Sequence, residues 1–351
     1  MVPGSIRQGR ILIMSSDDMT VRARRGRWVT CGLWLLACLC GLLPPVWGQK
    51  EQRPSPDTAA WVGQVFRQRG DTRVVDLILP GSHDAGSFAI TKESKAAPGT
   101  PAVYTRFGSM AAGWARTQEQ DLEHQLRGGI RYLDLRIAHV DGQLVLVHGL
   151  VSCPLKGALE GVRRFARAHP RELVLLDMQA MPGAASHDGL DRLLFGTLGP
   201  HMVNMGSEVK TWTLSRIWKT KRSLVVLSRD GGFAKRRKAY RKRGDLDSVW
   251  ANAQDQETLK ERLDGRLRRR DRGRFQCVYL TLTPTTNTIV TGSLRGVGDL
   301  AAFSEPLFRL PGKWIPEWLA AGLHPNVVAV DFYHRTDVVA AVIAANRARS
   351  R

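Results

Sequence analysis

"RVVDLILPGSHD", Arg73 to Asp84, is apolar from Val74 to Leu79 but for one aspartate, and it stops at Pro80-Gly81 just before a histidine and an aspartate. Such a run reads as a strand buried on both faces, because a strand with one wet face alternates apolar and polar residues. The same pattern recurs along the chain. "GIRYLDLRIAHV" is followed closely by "QLVLVHGL", and then come "ELVLLDMQ", "RSLVVLSRDGG", "FQCVYLTLTP" and "NVVAVDFY". Helical stretches separate them: "LKGALEGVRRFARAH", "HDGLDRLLFGTL", "QETLKERLDGRLRR" and the terminal "TDVVAAVIAANRAR", where Thr336 or Asp337 can accept the free N–H groups of a helix start. Strands alternating with helices predict an α/β chain with a mainly parallel sheet, and seven or eight strands predict a closed barrel. A doubly wound open sheet competes, but no Gly-x-Gly-x-x-Gly follows the first strand, so the dinucleotide signature is missing.

In a parallel barrel the chemistry sits at the C-terminal ends of the strands. His83 and Asp84 end the first run, Asp134 and Arg136 the second, His148 the third, Asp177 the fourth and Asp331 the last. Arg229 and Asp230 follow "SLVVLS" at the same relative position. Asp134 and Arg136, two apart, point to one side of their strand, and an arginine held beside a carboxylate is a ready clamp for phosphate. Two histidines on neighbouring strands can serve as acid and base across a phosphodiester, since their ordinary titration range suits both roles. Each residue alone has a plainer reading, as a hydrogen-bonded structural histidine, a helix cap or a turn. It is their joint placement that points to a site. The other histidines, 124, 139, 169, 187, 201, 324 and 334, fall in helical or loop-like stretches and read as structural. A Ser82, His83, Asp84 triad is sterically poor, because neighbours on a strand face opposite ways.

The chain has 351 residues, 43% of them hydrophobic, and a formal charge of +20, which suits an anionic partner such as a membrane surface or a phosphate-bearing substrate. "VRARRGRW" precedes an apolar run and Val46-Trp47-Gly48, the pattern of a secretory leader over residues 1–48. An uncut membrane anchor and acylation at Cys38 are the alternatives. Residues 49–71 read as an N-terminal helical cap, 72–346 as the barrel and 347–351 as a basic tail. The leader holds six Arg against two Asp, so most of the positive charge belongs to the folded part. Two basic clusters, Lys235–Gly244 and "RLRRRDRGR" (Arg266–Arg274), read as solvated faces or as contacts to anionic lipid. Without interleaved aromatics, nucleic acid is not an expected partner. Only Cys153 and Cys277 remain outside the leader, and whether they pair is open. Trp212, Trp218, Trp250, Trp314 and Trp318 divide between core packing and membrane-interface anchoring.

"PGSHDAGSF", "GIRYLDLRIAHVDGQLVLVHGL", "ELVLLDMQ" and "NVVAVDFY", in this order over residues 72 to 346, resemble the X-domain of phosphatidylinositol-specific phospholipase C, closest to its single-domain bacterial and X-domain-containing members. The resemblance implies a distorted TIM barrel acting as a monomer at a phospholipid surface on a phosphatidylinositol-like substrate. It implies His83 as general base, His148 as general acid, Arg136 on the phosphoryl oxygens, Asp331 orienting His83, and Asp84 assisting the leaving group. Asp134, Asp177 and Arg229 are carried as substrate-binding candidates. The multidomain eukaryotic enzymes place a calcium-binding carboxylate where this chain has Arg136. A guanidinium there supplies the charge and repels a cation, so no cofactor and calcium-independent catalysis are expected, although Asp84, Asp134 and Asp177 leave room for weak calcium binding. A related barrel phosphodiesterase for another headgroup would need a metal-binding acidic pair that Asp-Leu-Arg does not provide. The remaining alternative is a secreted anionic-lipid binder without turnover.

Overall fold

The computed structural model describes residues 57–100, 109–181, 187–294 and 298–349, and the expected leader lies outside them. Ten strands are present: β1 Leu79–Ser82, β2 Tyr132–Val140, β3 Gln143–His148, β4 Leu150–Pro154, β5 Val174–Ala180, β6 Leu224–Ser228, β7 Tyr240–Lys242, β8 Leu246–Asp247, β9 Phe275–Leu280 and β10 Val327–Val330. Eight of them pair in the order β7-β6-β5-β2-β1-β10-β9-β8, every pair parallel. Among the described residues no ladder joins β7 to β8, so the barrel is nearly closed and opens at that seam. The distorted barrel expected from the sequence is therefore the observed fold.

The central strands are buried along their whole length, as β1, β6, β9 and β10 show. This is the reason they read as unbroken apolar runs. Helices cover the outside with one apolar stripe each. In Leu155–Ala168 the buried positions Leu155, Leu159, Val162, Phe165 and Ala166 repeat at helical spacing. The last helix, Val338–Ala348, takes its start from Thr336, whose hydroxyl accepts from the Val338 N–H at 3.3 Å. Asp337 accepts instead from Gly312 at 3.1 Å.

The N-terminal cap is shorter than its periodicity predicts, one 3-10 turn at Thr58–Ala60 and a helix at Trp61–Val65. It is bolted to the closed end of the barrel. The Trp61 indole donates to the Gly129 carbonyl at 2.9 Å, and Val62 and Gly63 donate to the Glu172 carboxylate at 3.1 and 2.9 Å. Glu172 also pairs with the fully buried Arg131 at 2.7 Å.

Three expectations need correction. The run Val74 to Ser82 is not one strand, because Val74–Asp76 forms a 3-10 turn and only Leu79–Ser82 enters the sheet. The third apolar run is not a barrel strand. β3 returns antiparallel along β2 and β4 returns along β3, so β2 rises past its pairing with β5 as part of a hairpin. The basic stretch Lys235–Gly244 is not only a loop, since Tyr240 is buried and begins β7. Three of its seven basic residues are matched: Arg237 pairs with Asp191 at 2.6 Å, Arg241 with Asp245 at 2.9 Å, and Arg236 with Asp188. Cys153 and Cys277 are free thiols. Among the described residues no helix is long and apolar enough to cross a membrane.

Candidate active site

Ser82 pairs with Val330 at the top of β1 and β10, and the His83 N–H donates to the Val330 carbonyl at 3.1 Å. The next residues, His83 and Asp331, therefore face each other, and His83 Nδ1 meets Asp331 Oδ1 at 2.7 Å. The two strands end alike. Asp84 (φ 41°) and Phe332 (φ 46°) both take the left-handed conformation that turns the chain sharply. At Asp84 this turn cancels the strand alternation, so neighbouring His83 and Asp84 deliver their side chains to one place. Residues between the helices Ser109–Ala115 and Leu122–Arg127 lock the two strand ends together: Gln118 Nε2 donates to the carbonyls of His83 at 3.1 Å and Val330 at 2.9 Å, and Thr117 donates to that of His83 at 3.0 Å.

Asp84 is the hub. Its Oδ2 lies 2.9 Å from His83 Nε2 and 3.0 Å from His148 Nε2, and its Oδ1 pairs with Arg136. His148 comes in from the hairpin, its Nδ1 donating to the Ala115 carbonyl at 2.6 Å. The two imidazole centroids are 6.0 Å apart, and Arg136 Nη2 lies 3.5 Å from His83 Nε2. His83, Arg136, His148 and Asp331 line a cleft of about 400 Å³, whose other wall is apolar, with Trp114, Leu282, Pro284, Ile289 and Leu300. Four of the five expected catalytic residues thus share one cleft, and the fifth, Asp84, is buried beside them.

Burial alone would push the His83 imidazole down, but the carboxylates of Asp84 and Asp331 outweigh it and raise it to about 10. Burial opposes ionisation of Asp84 as well, yet Arg136, His148 and His83 together hold its carboxyl well below the usual range. For kcat/KM, which reports the free enzyme, the limb that requires neutral His83 should lie on the alkaline side of the ordinary histidine range. Asp331→Asn should move that limb toward acid while lowering the rate. A limb that stays in place in this variant would show that Asp331 does not tune His83.

Asp134 and Asp177, carried as substrate-binding candidates, are fully buried below the cleft and do not line it. Burial raises both, and each raises the other or is raised by a neighbouring carboxylate: Asp134 by Asp84, and Asp177, by Asp134, up to about 7. The Tyr132 hydroxyl donates to Asp177 at 2.8 Å. Arg229 lies 3.8 Å from Asp177 and donates to the Ser248 hydroxyl at 2.7 Å, and it does not line the cleft. An unfolded aspartate titrates near ~3.9. The folded chain therefore holds the Asp177 proton more tightly between that value and about 7. The stability this proton contributes is greatest below the unfolded value and is lost as pH rises through 7. Asp177→Asn should flatten that decline, gaining up to about 4 kcal/mol over the parent at pH 8. Denaturant unfolding at pH 5 and pH 8 reads this directly, and equal slopes in the two proteins would refute it.

The chain compares closely with two sets of proteins. It is 28% identical over 305 residues to "PI-PLC X domain-containing protein 3" of Danio rerio, covering 82% of this chain and 93% of the relative, and 27% identical over 306 residues to the Homo sapiens protein of that name. The fold matches a mutant phosphatidylinositol-specific phospholipase C from Staphylococcus aureus, with TM-score 0.60 and 16% identity over 83% of this chain and 98% of the other. That of the Listeria monocytogenes enzyme matches with TM-score 0.57 and 14% identity over 83% and 99%. The chain is thus similar to PI-PLC X domain-containing proteins over 82% of its length. No family model matches it.

Some residues of this site leave little trace in the sequence. Trp250 packs at a tilt against the His83 ring with centroids 4.5 Å apart and donates from its indole to Thr283 at 2.6 Å. Tyr279 meets the His83 ring at 5.6 Å, edge on, and its hydroxyl contacts that of Tyr132 at 3.0 Å and accepts from Gln179 at 2.9 Å. Tyr279 and Gln179 lie inside runs already read as strands, and their alternation toward the barrel interior was the available signal. Trp250 lies in an irregular segment and carried none. Trp212, Trp314 and Trp318 are buried, as core packing requires.

His83, Asp84 and Asp134 offer ligand atoms within 4.8 Å of one another. A cation does not fit there as the site is built. Asp84 is already engaged by Arg136, His83 and His148, and the Arg136 guanidinium lies 4.0 Å from Asp134 as well.

Proposed function

We propose that the chain is a phosphoric diester hydrolase of the phospholipase C type that cleaves phosphatidylinositol-like lipids without a metal. The observation that carries this reading is the pair of imidazoles 6.0 Å apart on either side of Asp84, with Arg136 beside them in a cleft with an apolar wall. His83 Nε2 takes the proton of the inositol hydroxyl next to the phosphate, and that oxygen attacks phosphorus. The bond to the glycerol oxygen breaks, and His148 Nε2 protonates the departing diacylglycerol. A cyclic inositol phosphate results, which water opens with the two histidines in exchanged roles. Arg136 takes the charge that grows on the phosphoryl oxygens, Asp331 orients the His83 ring, and Asp84 aligns His148. Substrate entry has to move Asp84 off His83 Nε2, which frees the base.

The apolar wall suits the lipid side of the substrate. Val249 and Val290, the most exposed large apolar side chains among the described residues, adjoin Trp250 and Ile289 of the cleft and suit contact with a membrane. In this reading the leader exports the chain, which works as a monomer.

The test is a panel of vesicles of phosphatidylinositol, phosphatidylcholine and sphingomyelin, with and without chelator, and identification of the water-soluble product. Release from phosphatidylinositol alone, unchanged by chelator, is expected. Phosphocholine, or activity that chelator abolishes and calcium restores, would overturn the reading. One observation favours a lipid binder without turnover: two carboxylates hold His83 protonated. Vesicle binding with no product from any lipid would decide for it.

A further inference from the structure

The second basic cluster, Arg266–Arg274, takes no part in the cleft. Its residues Arg270 and Arg272 lie between the helix Gln256–Arg268 and β9, at the closed end of the barrel. There they meet arginines from two other parts of the chain. Asp76, just before β1, is held on Oδ2 by Arg73 at 2.7 Å and on Oδ1 by Arg272 at 2.8 Å. Its backbone carbonyl accepts from Arg349 at 2.8 Å, and the carbonyl of Val75 accepts from Arg270. Four guanidinium groups therefore converge on two consecutive residues that carry one carboxylate.

That carboxylate has both oxygens occupied. Neither Arg270 nor Arg349 forms an ion pair among the described residues, and Arg270 Nε is buried without a hydrogen-bond partner. The crowding is visible in the groups themselves. Burial, then Arg272, Arg349 and Arg73, lower Arg270 to about 10, and burial followed by the same arginine group lowers the neighbouring His324. Arg73 and Arg272 are nearly half exposed, so the cluster is open to solvent. Like charges held together without matching carboxylates oppose folding, and a bound anion removes that opposition. Guanidinium groups bond phosphate oxygens two at a time, which makes phosphate the oxyanion they fit best.

We infer that Arg73, Arg270, Arg272 and Arg349 form a binding site for a polyvalent phosphate anion at the closed end of the barrel, separate from the catalytic cleft. The inference does not depend on the proposed reaction. The anion is either free in solution or carried by a lipid headgroup.

The probe is inorganic pyrophosphate, titrated into the full chain by calorimetry, with vesicles of phosphatidylcholine alone or containing phosphatidic acid as a second arm. Saturable pyrophosphate binding is expected in the parent and in Arg136→Ala, and at least tenfold weaker binding in the Arg272→Gln, Arg349→Gln double variant. Binding to phosphatidic acid vesicles alone, lost in the same double variant, would assign the site to a headgroup. His324 gives a readout that needs no variant, because pyrophosphate in the cluster should raise its pKa in a proton NMR titration. Binding abolished by Arg136→Ala and untouched by the double variant would overturn the inference. So would a His324 that stays unmoved while pyrophosphate saturates the chain, or no saturable binding in either arm.

Discussion

Replacing His83 or His148 by alanine should each cost about 10²- to 10⁴-fold in turnover of phosphatidylinositol vesicles, the usual worth of a positioned acid or base. The losses should not multiply in the double variant, because the two rings serve one proton circuit. The reason for expecting so large an effect is geometric. Both histidines present Nε2 to the same Asp84 oxygen, at 2.9 and 3.0 Å, while Nδ1 is anchored by Asp331 in one ring and by the Ala115 carbonyl in the other. Each ring is thus fixed in aim, with its reactive nitrogen on Asp84 beneath the cleft. Vesicle binding should survive, since neither ring supplies the exposed apolar rim. Near-parental turnover in either variant would remove the acid and base assignments.

Arg136→Ala should cost about 10²- to 10³-fold, and Arg136→Lys should restore only part of it. Arg136 stands on β2 just where the hairpin leaves the barrel, its guanidinium on Asp84 and 3.5 Å from His83 Nε2. Alanine removes both the charge that would meet the phosphoryl oxygens and the foremost of the cations that keep Asp84 ionised. Lysine returns a point charge without the fork that can hold Asp84 and phosphate together. The measurement is kcat and KM for the three proteins, with chelator present throughout. An alanine variant impaired only in KM would place Arg136 in ground-state binding rather than at the reacting phosphoryl group.

Much of this was legible in the residues because burial leaves a simple mark. Strands covered on both faces must be apolar throughout, so β5, β6, β9 and β10 announce themselves, and so does the polar residue that ends a run, as at His83 and Asp331. Interior carboxylates obey a different rule. Asp134 and Asp177 sit within their strands and look like rim residues in sequence, but they are buried below the cleft. The hairpin β3–β4 is invisible to periodicity, because an antiparallel return and a parallel crossover strand share the same apolar pattern. The left-handed turn at Asp84 is local backbone geometry that an aspartate tolerates without advertising. Tyr240 is hidden by its basic neighbours, of which Arg237 is matched by Asp191 from a distant helix and Arg241 by Asp245 four residues on.

The central claim is that a neighbouring inositol hydroxyl, activated by His83, displaces diacylglycerol from phosphorus. Phosphorus-31 NMR of the full chain acting on phosphatidylinositol vesicles follows this directly. A cyclic phosphodiester resonance should grow first and decay slowly into an inositol monophosphate, with neither signal in His83→Ala. A monophosphate that forms with no cyclic precursor would contradict the account, because water and not the inositol hydroxyl would then be the attacking group.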